Sequence, residues 1–472
     1  MFALVLLLAT LPLTGYVRAA GGVLDPGFGN NGKVAVDFGD PSERASDMVI
    51  QPDGKIVLAG IAGGQSIPFP SFSLARYNLD GSPDTSFGSS GMTTTDFGPT
   101  FSFGESVALQ SDGKIVVAGS VLDISTNTLD FALARYNSDG SLDSTFGSGG
   151  KVITDFFTGF NDEAHAVALQ SDGKIVVAGF AHSSALSINI ALARYNDDGS
   201  LDSSFGVGGK VVAGFTSTGA AVAIQGDGKI IAAGNASNGF AMVRYNTDGS
   251  VDASFGSSGV VITPFNPSGA QISDLALQSN GKIVACGFTS AFSNDSFDFA
   301  VARYNGDGSL DSGFGSGGKV ITDFFGNSDL CRSVALQSDG KIVVSGFATS
   351  VTGRDFALIR YNSDGSLDSA FGSGGKITTD FIGQEDDAGA VAVQSDGKIV
   401  AAGFASSGGG AGHDFALVRY FGNDFDLCLQ DDSSGIWINI SSTTGEYLFS
   451  DCSGTTLHGT GSLIVSTQTN LD

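Results

Sequence analysis

The sequence predicts an all-β protein, a seven-bladed β-propeller of four-stranded blades closed by its own N-terminal strand and followed by a small C-terminal β segment. Three observations carry this. QSDGK or a close variant recurs with its glycine at Gly54, Gly113, Gly173, Gly228, Gly281, Gly340 and Gly397. RYNxDG begins at Arg76, Arg135, Arg194, Arg244, Arg303 and Arg360, with a reduced copy at Arg419. LDxxFG and its variants place phenylalanine at Phe28, Phe87, Phe146, Phe205, Phe255, Phe314 and Phe371. Three markers repeated in one order, every 50 to 60 residues, denote a single supersecondary unit copied along the chain.

Each unit reads as four strands. In the third copy they are 166–170, 174–180, 190–196 and 210–215. Ser171-Asp172-Gly173 joins the first two as a tight hairpin, because Asp-Gly accepts the positive φ that such turns need. Asp198-Gly199 and the LDSSFG string lie between the third and fourth. No window has helical periodicity. The first strands are apolar at alternate positions (Val107 and Leu109, Val167 and Leu169, Val334 and Leu336), and the position between is small: Ala108, Ala168, Ala335. A strand apolar on both faces is buried on both. Small residues on one face let a neighbouring sheet come close, as radial packing of blades requires. A linear β-solenoid has coils too short for this unit.

Closure follows from how the array begins and ends. The chain enters with Gly32-Lys33-Val34-Ala35-Val36, a fourth-strand sequence, before any first strand, and leaves at Tyr420 after a third strand. Residues 33–39 are therefore expected to pair with 414–421, which removes both exposed edges.

The units QSDGKIVVAGF, FALARYNSDGSLDSTFG and GGKVITDF resemble those of the delta-60 repeat family of bacterial proteins over roughly 24–420. The resemblance implies a propeller and brings no settled activity.

Outside the array, the segment MFALVLLLATLPLTGYVRAAGG reads as a secretory signal with an apolar run from Phe2 to about Leu13. That run is short of the roughly 20 residues of a membrane-spanning helix. The expected organisation is a signal peptide over 1–20, the propeller over 21–420 and a C-terminal β module over 421–472. Secretion or display at the cell surface follows, with no membrane span after cleavage. Cys428 and Cys452 in the C-terminal module are the expected disulfide, as suits an exported protein. Cys286, placed at the end of a second strand, and Cys331, placed just before a first strand, are expected to be two buried thiols.

The formal net charge of −26 argues against nucleic acid as a partner. Of 23 Lys and Arg, all but Arg18, Arg44, Arg332 and Arg354 occupy fixed repeat positions, so no concentrated basic patch can form.

Strand direction puts the near-invariant DG turns on one rim and the variable loops, such as 61–71, 120–130, 156–165, 324–332 and 381–389, on the other. Function usually sits on variable loops over a rigid frame. The residue five before the repeated Gln, near the channel mouth, reads Ser46, Glu105, His165, Ala220, Ser273, Arg332 and Gly389. With Asp47, Glu163, Asp274 and Asp387 nearby, these form the candidate ligand-binding rim. The competing reading is a set of solvated loop ends.

No metal ligand set and no cofactor is assigned. NxDGSLD (Asn137, Asp139, Asp143) partly matches a calcium loop, but Arg135 stands where the first acid would be, so an Asx turn with the Arg paired to the Asp is the simpler reading. None of the four histidines recurs, and no nucleophile elbow or phosphate-binding loop is placed between a strand and a helix. The expected role is thus a monomeric binding or scaffold module for a protein or glycan of unknown identity. A hydrolase or lyase with its site at the channel mouth, and a purely structural array, remain as alternatives.

Overall fold

The structure is a computed structural model. It describes residues 21–422 apart from 38, 40–41, 64–68, 99, 185–186, 217, 237–238, 266–268, 291–295, 382–384 and 407–411, together with four strands between 427 and 457. The predicted signal segment 1–20 lies outside the described residues, and so does Cys452. Cys428 falls in the strand Leu427–Gln430, whose side chains are not described.

Seven four-stranded antiparallel meanders form the blades of the propeller, and an eighth small sheet is made by the C-terminal strands. Blade 3 comprises Asp162–Leu169, Ile175–Ser184, Ser187–Tyr195 and Lys210–Thr216. The first strands of neighbouring blades touch around the ring, including blade 7 against blade 1. Closure is as expected: Lys33–Val36 pairs antiparallel with Phe415–Val418 and becomes the outer strand of blade 7. Among the described residues no helix is long and apolar enough to cross a membrane.

The core is divided among the blade interfaces. Between blades 2 and 3, for example, Val116, Phe131 and Leu133 pack against Val177, Ala191 and Tyr195. The repeat markers lock these interfaces from the DG-turn rim. Arg135 is buried, donates through Nε to Asp143 Oδ2 at 2.8 Å, and reaches the Asp197 carbonyl of the next blade. Its guanidinium lies 4.6 Å from the Phe146 ring centre, and Lys114 Nζ stands 3.2 Å from the same Asp143 oxygen. The RY, LDxxFG and DGK strings therefore meet at one buried latch, repeated in every blade. Asp139 closes an Asx turn with Ser141, as the sequence implied. A second inter-blade bond joins Tyr136 to Thr95, Tyr195 to Thr154, Tyr304 to Thr263, Tyr361 to Thr322 and Tyr420 to Thr379. Tyr77 and Tyr245 have no partner for their hydroxyls, because Val36 and Ala213 occupy the threonine position.

Two expectations need correction. The strands reach further toward the variable rim than their apolar cores suggested: the first strand of blade 3 begins at Asp162, and only 124–127 separates the second and third strands of blade 2. Cys286 lies inside the strand Ile283–Ser290 and Cys331 inside Asp329–Leu336, both in the core between blades 5 and 6 rather than at a strand end. They are free thiols in mutual hydrogen-bond contact, and burial pushes the Cys286 thiol up.

Candidate functional site

The variable position five before the repeated Gln is not a loop end. In each blade the pairing of first and second strands slips there by an extra residue, at Ser46, Glu105, His165, Ala220, Ser273 and Arg332, and at Ala388 with Gly389 in blade 7. It is a β-bulge, which leaves one residue unpaired and turns its strand. The second strand makes room with a glycine. A Cβ on Gly179 would stand 1.9 Å from the Glu163 carbonyl oxygen, and Gly60, Gly119, Gly287, Gly346 and Gly403 face equivalent carbonyls as closely. This glycine is the sequence signal that could have revealed the bulge, since a glycine inside a strand marks a bulge or a close backbone approach.

The bulges ring a cup of about 810 Å³ at the mouth of the central channel. Asp47, Glu105, His165, Asp274, Arg332 and Asp387 all line it, with Phe103, Phe180, Phe288 and Phe404 between them. Glu163 is not among the lining residues, and its carboxylate stands 3.9 Å from His165 Nε2. The phenylalanines and the Arg44 of the lining were not singled out from sequence; Phe180, Phe288 and Phe404 each follow the bulge glycine directly.

The cup groups differ in what they are free to do. Asp47 and Asp274 are committed to the frame. Asp47 accepts from Ser106 Oγ and Val107 N, both at 2.9 Å, and Asp274 accepts from Ser333 Oγ at 3.0 Å and Val334 N at 2.9 Å, so each ties its blade to the next. Arg332 donates to Asp387 Oδ2 through Nη2 at 2.9 Å and Nε at 3.2 Å, while Asp387 Oδ1 is buried with no partner. Arg44 lies 4.7 Å from the Phe404 ring centre, and the His165 ring stacks on Phe180 at 5.5 Å. Burial, with the Glu163 charge behind it, pushes Glu105 up to about 7 against a bond from Ser46. Burial takes His165 the other way, down to about 4, so at neutral pH it is an uncharged imidazole. Both signs of charge therefore line one cup: carboxyl groups from blades 1, 2, 5 and 7, and guanidinium groups from blades 1 and 6.

Metal-ligand geometry, by contrast, lies off the cup. Among the described residues, the groups of three or more acids close enough to share an ion sit further out on the same rim, at four blade junctions.

These shifts fix the sign of the pH dependence. Glu105 and Asp162 are raised to about 7 and Asp274, Asp329 and Asp386 to about 6, chiefly by burial. Between an unfolded pKa of about 4 and these values the native state binds more protons, so stability falls as pH rises through that window. The latch aspartates behave oppositely. Burial alone would raise Asp143, but its bonds from Thr145 and Lys114 and the charge of Arg135 outweigh it, and its carboxyl is held well below the usual range. Stability from that group is present above about pH 4 and is lost on further acidification. The expected result in metal-free buffer is a melting temperature that peaks near pH 5, declining toward pH 8 and steeply below pH 4. A flat profile from pH 5 to 8 would contradict the burial assigned to these acids.

A family model described as "Domain of unknown function (DUF5122) beta-propeller" matches residues 51–87, 110–146, 170–205, 225–255, 278–314, 337–371 and 394–424. No curated protein matches the sequence. Among solved structures, similarity extends to a protein of unknown function from Bacteroides caccae, with 12% identity, 68% of this chain and 93% of that one covered, and a TM-score of 0.37. Polysaccharide lyase Uly1 is similar at 11% identity, covering 80% and 90%, with a TM-score of 0.45. A catalytically inactive virginiamycin B lyase from Staphylococcus aureus, solved with quinupristin, is similar at 10% identity, covering 75% and 94%, with a TM-score of 0.40. These likenesses bear on the fold alone.

Proposed function

Because the chain belongs to the DUF5122 beta-propeller family, whose description assigns no activity, function has to be argued from its own side chains, and we propose that it is an exported module that binds a polar, ring-containing ligand, a glycan, in the channel-mouth cup. The observation that carries this is the convergence of bulge residues, Glu105, His165 and Arg332 among them, on one cavity walled by Phe180, Phe288 and Phe404. A sugar ring offers an apolar C–H face to an aromatic side chain, and hydroxyls that both donate and accept. The cup matches each need with aromatic faces, the guanidinium donors of Arg332 and Arg44, the carboxyl group of Glu105, which when protonated both donates and accepts, and the acceptor oxygens of Asp387. Asp387 Oδ1, buried without a protein partner, is an acceptor waiting for a donor. Export rests on the apolar run from Phe2 to Leu13 ahead of Val17-Arg18-Ala19.

The test is a glycan panel read by thermal shift and calorimetry. A saturable rise in melting temperature is expected. Arg332→Ala or Glu105→Ala should weaken affinity by about tenfold to 100-fold, the cost of one or two lost hydrogen bonds to charged groups. A flat response across the panel would put the purely structural array ahead.

A hydrolase or lyase is the second reading, favoured by one specific observation: Glu105, raised to about 7, shares the cup with an uncharged His165. An acid held protonated near neutrality beside a neutral imidazole is a pattern used for proton transfer. On this reading the panel shows turnover, which Glu105→Gln and His165→Ala abolish while binding survives. Binding without product would leave the module reading standing and discard catalysis.

A further inference from the structure

Four clusters of carboxylates lie at blade junctions, away from the cup. Each takes one acid from the start of a third strand, one from the end of the adjoining fourth strand and one from the start of the next blade's first strand: Asp130, Asp155 and Asp162; Asp298, Asp323 and Asp329; Asp355, Asp380 and Asp386; Asp414, Asp37 and Glu43. Within each cluster the three ligand oxygens lie within 4.8 Å of one another. The three positions change together along the chain. Where the third-strand residue is not an acid, the others are largely not acids either: Asn189 and Gly214 at the junction of blades 3 and 4, and Gly239, Pro264 and Ala270 at the next. At the remaining junction only Asp96 is left, with Ser71 and Ser102. Surface acids scattered for solubility would not vary as sets of three.

The junction of blades 2 and 3 leaves carboxylate oxygens without partners, whereas Asp329 Oδ1 accepts from Thr349 N and Asp386 Oδ1 from Ser406 N at two of the others. Asp162 is fully buried; its Oδ2 accepts from Phe156 N at 2.6 Å and Phe157 N at 3.3 Å. Its Oδ1 is buried with no partner, and so is Asp155 Oδ1. Asp130 is buried as well, and neither it, Asp155 nor Asp162 forms an ion pair among the described residues. The cation that comes near, Lys210, donates to the Asp155 backbone carbonyl at 2.9 Å and lies over the Phe156 ring. Asp130 and Asp162 are thus two buried carboxyl groups facing the more exposed Asp155, and like charges held this close without a counter-charge are costly unless protons or a cation relieve them. Calcium takes oxygen ligands at about 2.3–2.6 Å, which allows oxygens around one ion to stand up to about 5 Å apart. Oxygens within 4.8 Å of one another can face one such ion, and a site built of several protein carboxylates suits calcium's flexible geometry better than magnesium, which demands near-ideal octahedral geometry and keeps several waters.

We propose that Asp130, Asp155 and Asp162 form a calcium site that pins blade 2 to blade 3. Water completes the coordination, since three carboxylates supply fewer than the six to eight oxygens calcium takes.

The full chain, freed of metal, is titrated with CaCl2 at pH 7.5 by calorimetry and equilibrium dialysis, with MgCl2 at equal ionic strength as the control. Saturable uptake of one calcium ion per chain is expected, with affinity roughly in the 10⁻⁴–10⁻³ M range of extracellular calcium modules, and a rise in melting temperature that MgCl2 does not reproduce. The double variant Asp155→Asn with Asp162→Asn keeps oxygens for the Phe156 and Phe157 N–H groups and should lose one ion. Asp96→Asn, at the junction without a cluster, should lose none. If the double variant fails to melt cooperatively, Asp130→Asn, which takes away one ligand charge, makes the same test and should lose the uptake. No saturable uptake, equal stabilisation by magnesium, or a stoichiometry unchanged in the cluster variants would each overturn the proposal. The glycan experiment does not depend on this result, because the cup and the clusters share no residue.

Discussion

Deleting residues 21–37 is expected to open the propeller, with loss of the cooperative melt and self-association on size exclusion. This segment provides more than the pairing of Lys33–Val36 with Phe415–Val418. It also carries the acid and the aromatic ring of the blade 7 latch. Asp25 Oδ2 receives Arg419 Nε at 2.8 Å and stands 3.3 Å from Lys398 Nζ, and Phe28, fully buried, lies 4.4 Å under the Arg419 guanidinium. Removal strands two buried cations, at about 3–5 kcal/mol for a broken buried pair, and forfeits roughly 2–3 kcal/mol from Phe28. It also bares the edge of the third strand of blade 7, a template for pairing with another chain.

The remedy follows from the repeat. In complete units the latch aspartate lies eight residues after the arginine, as Asp143 does after Arg135, so Asp25 belongs eight residues beyond Arg419 and residue 21 directly after Gly422. A permuted chain with 21–37 joined after Gly422 should recover the monomer and its melt. A deletion variant as stable and monomeric as the parent would show that closure contributes little.

Arg135→Ala is the second large effect. The side chain is 2% exposed, and it connects Asp143, the Asp197 carbonyl and the Phe146 ring across two blades. Truncation leaves a buried aspartate with Lys114 as its remaining cation and a carbonyl with no donor. A loss of about 3–5 kcal/mol in unfolding free energy is expected. Arg135→Lys should recover little of it, because an ammonium cannot span carboxylate and carbonyl as the planar guanidinium does. Denaturant unfolding measures both. A loss under about 1 kcal/mol for the alanine variant would mean that the latch is decorative and that apolar packing alone holds the interface. With seven copies in the ring, one broken latch should lower stability without abolishing folding.

The repeat legible in the sequence accounts for the frame almost completely. Gly173 in its hairpin, the small first-strand alanines and the stray fourth-strand string at 33–36 each follow from local rules of turn φ, face periodicity and edge pairing. The same strings hid the latch, because QSDGK, RYN and LDxxFG are separated along the chain and meet only when blades stack. Asp47 and Asp274, read from sequence as candidate ligand-binding residues, line the cup but brace neighbouring blades.

What the sequence determined by itself is the unit, its number and its closure, since these rest on contacts between neighbours in the chain or on one pattern repeated seven times. The tertiary structure alone decided which side chains share a site. Glu105, His165 and Arg332 come from blades 2, 3 and 6, and they meet because a bulge opposite a glycine turns each first strand at the same height around one channel. The acid clusters arise in the same way, from strand ends brought together only by the packing of one blade on the next.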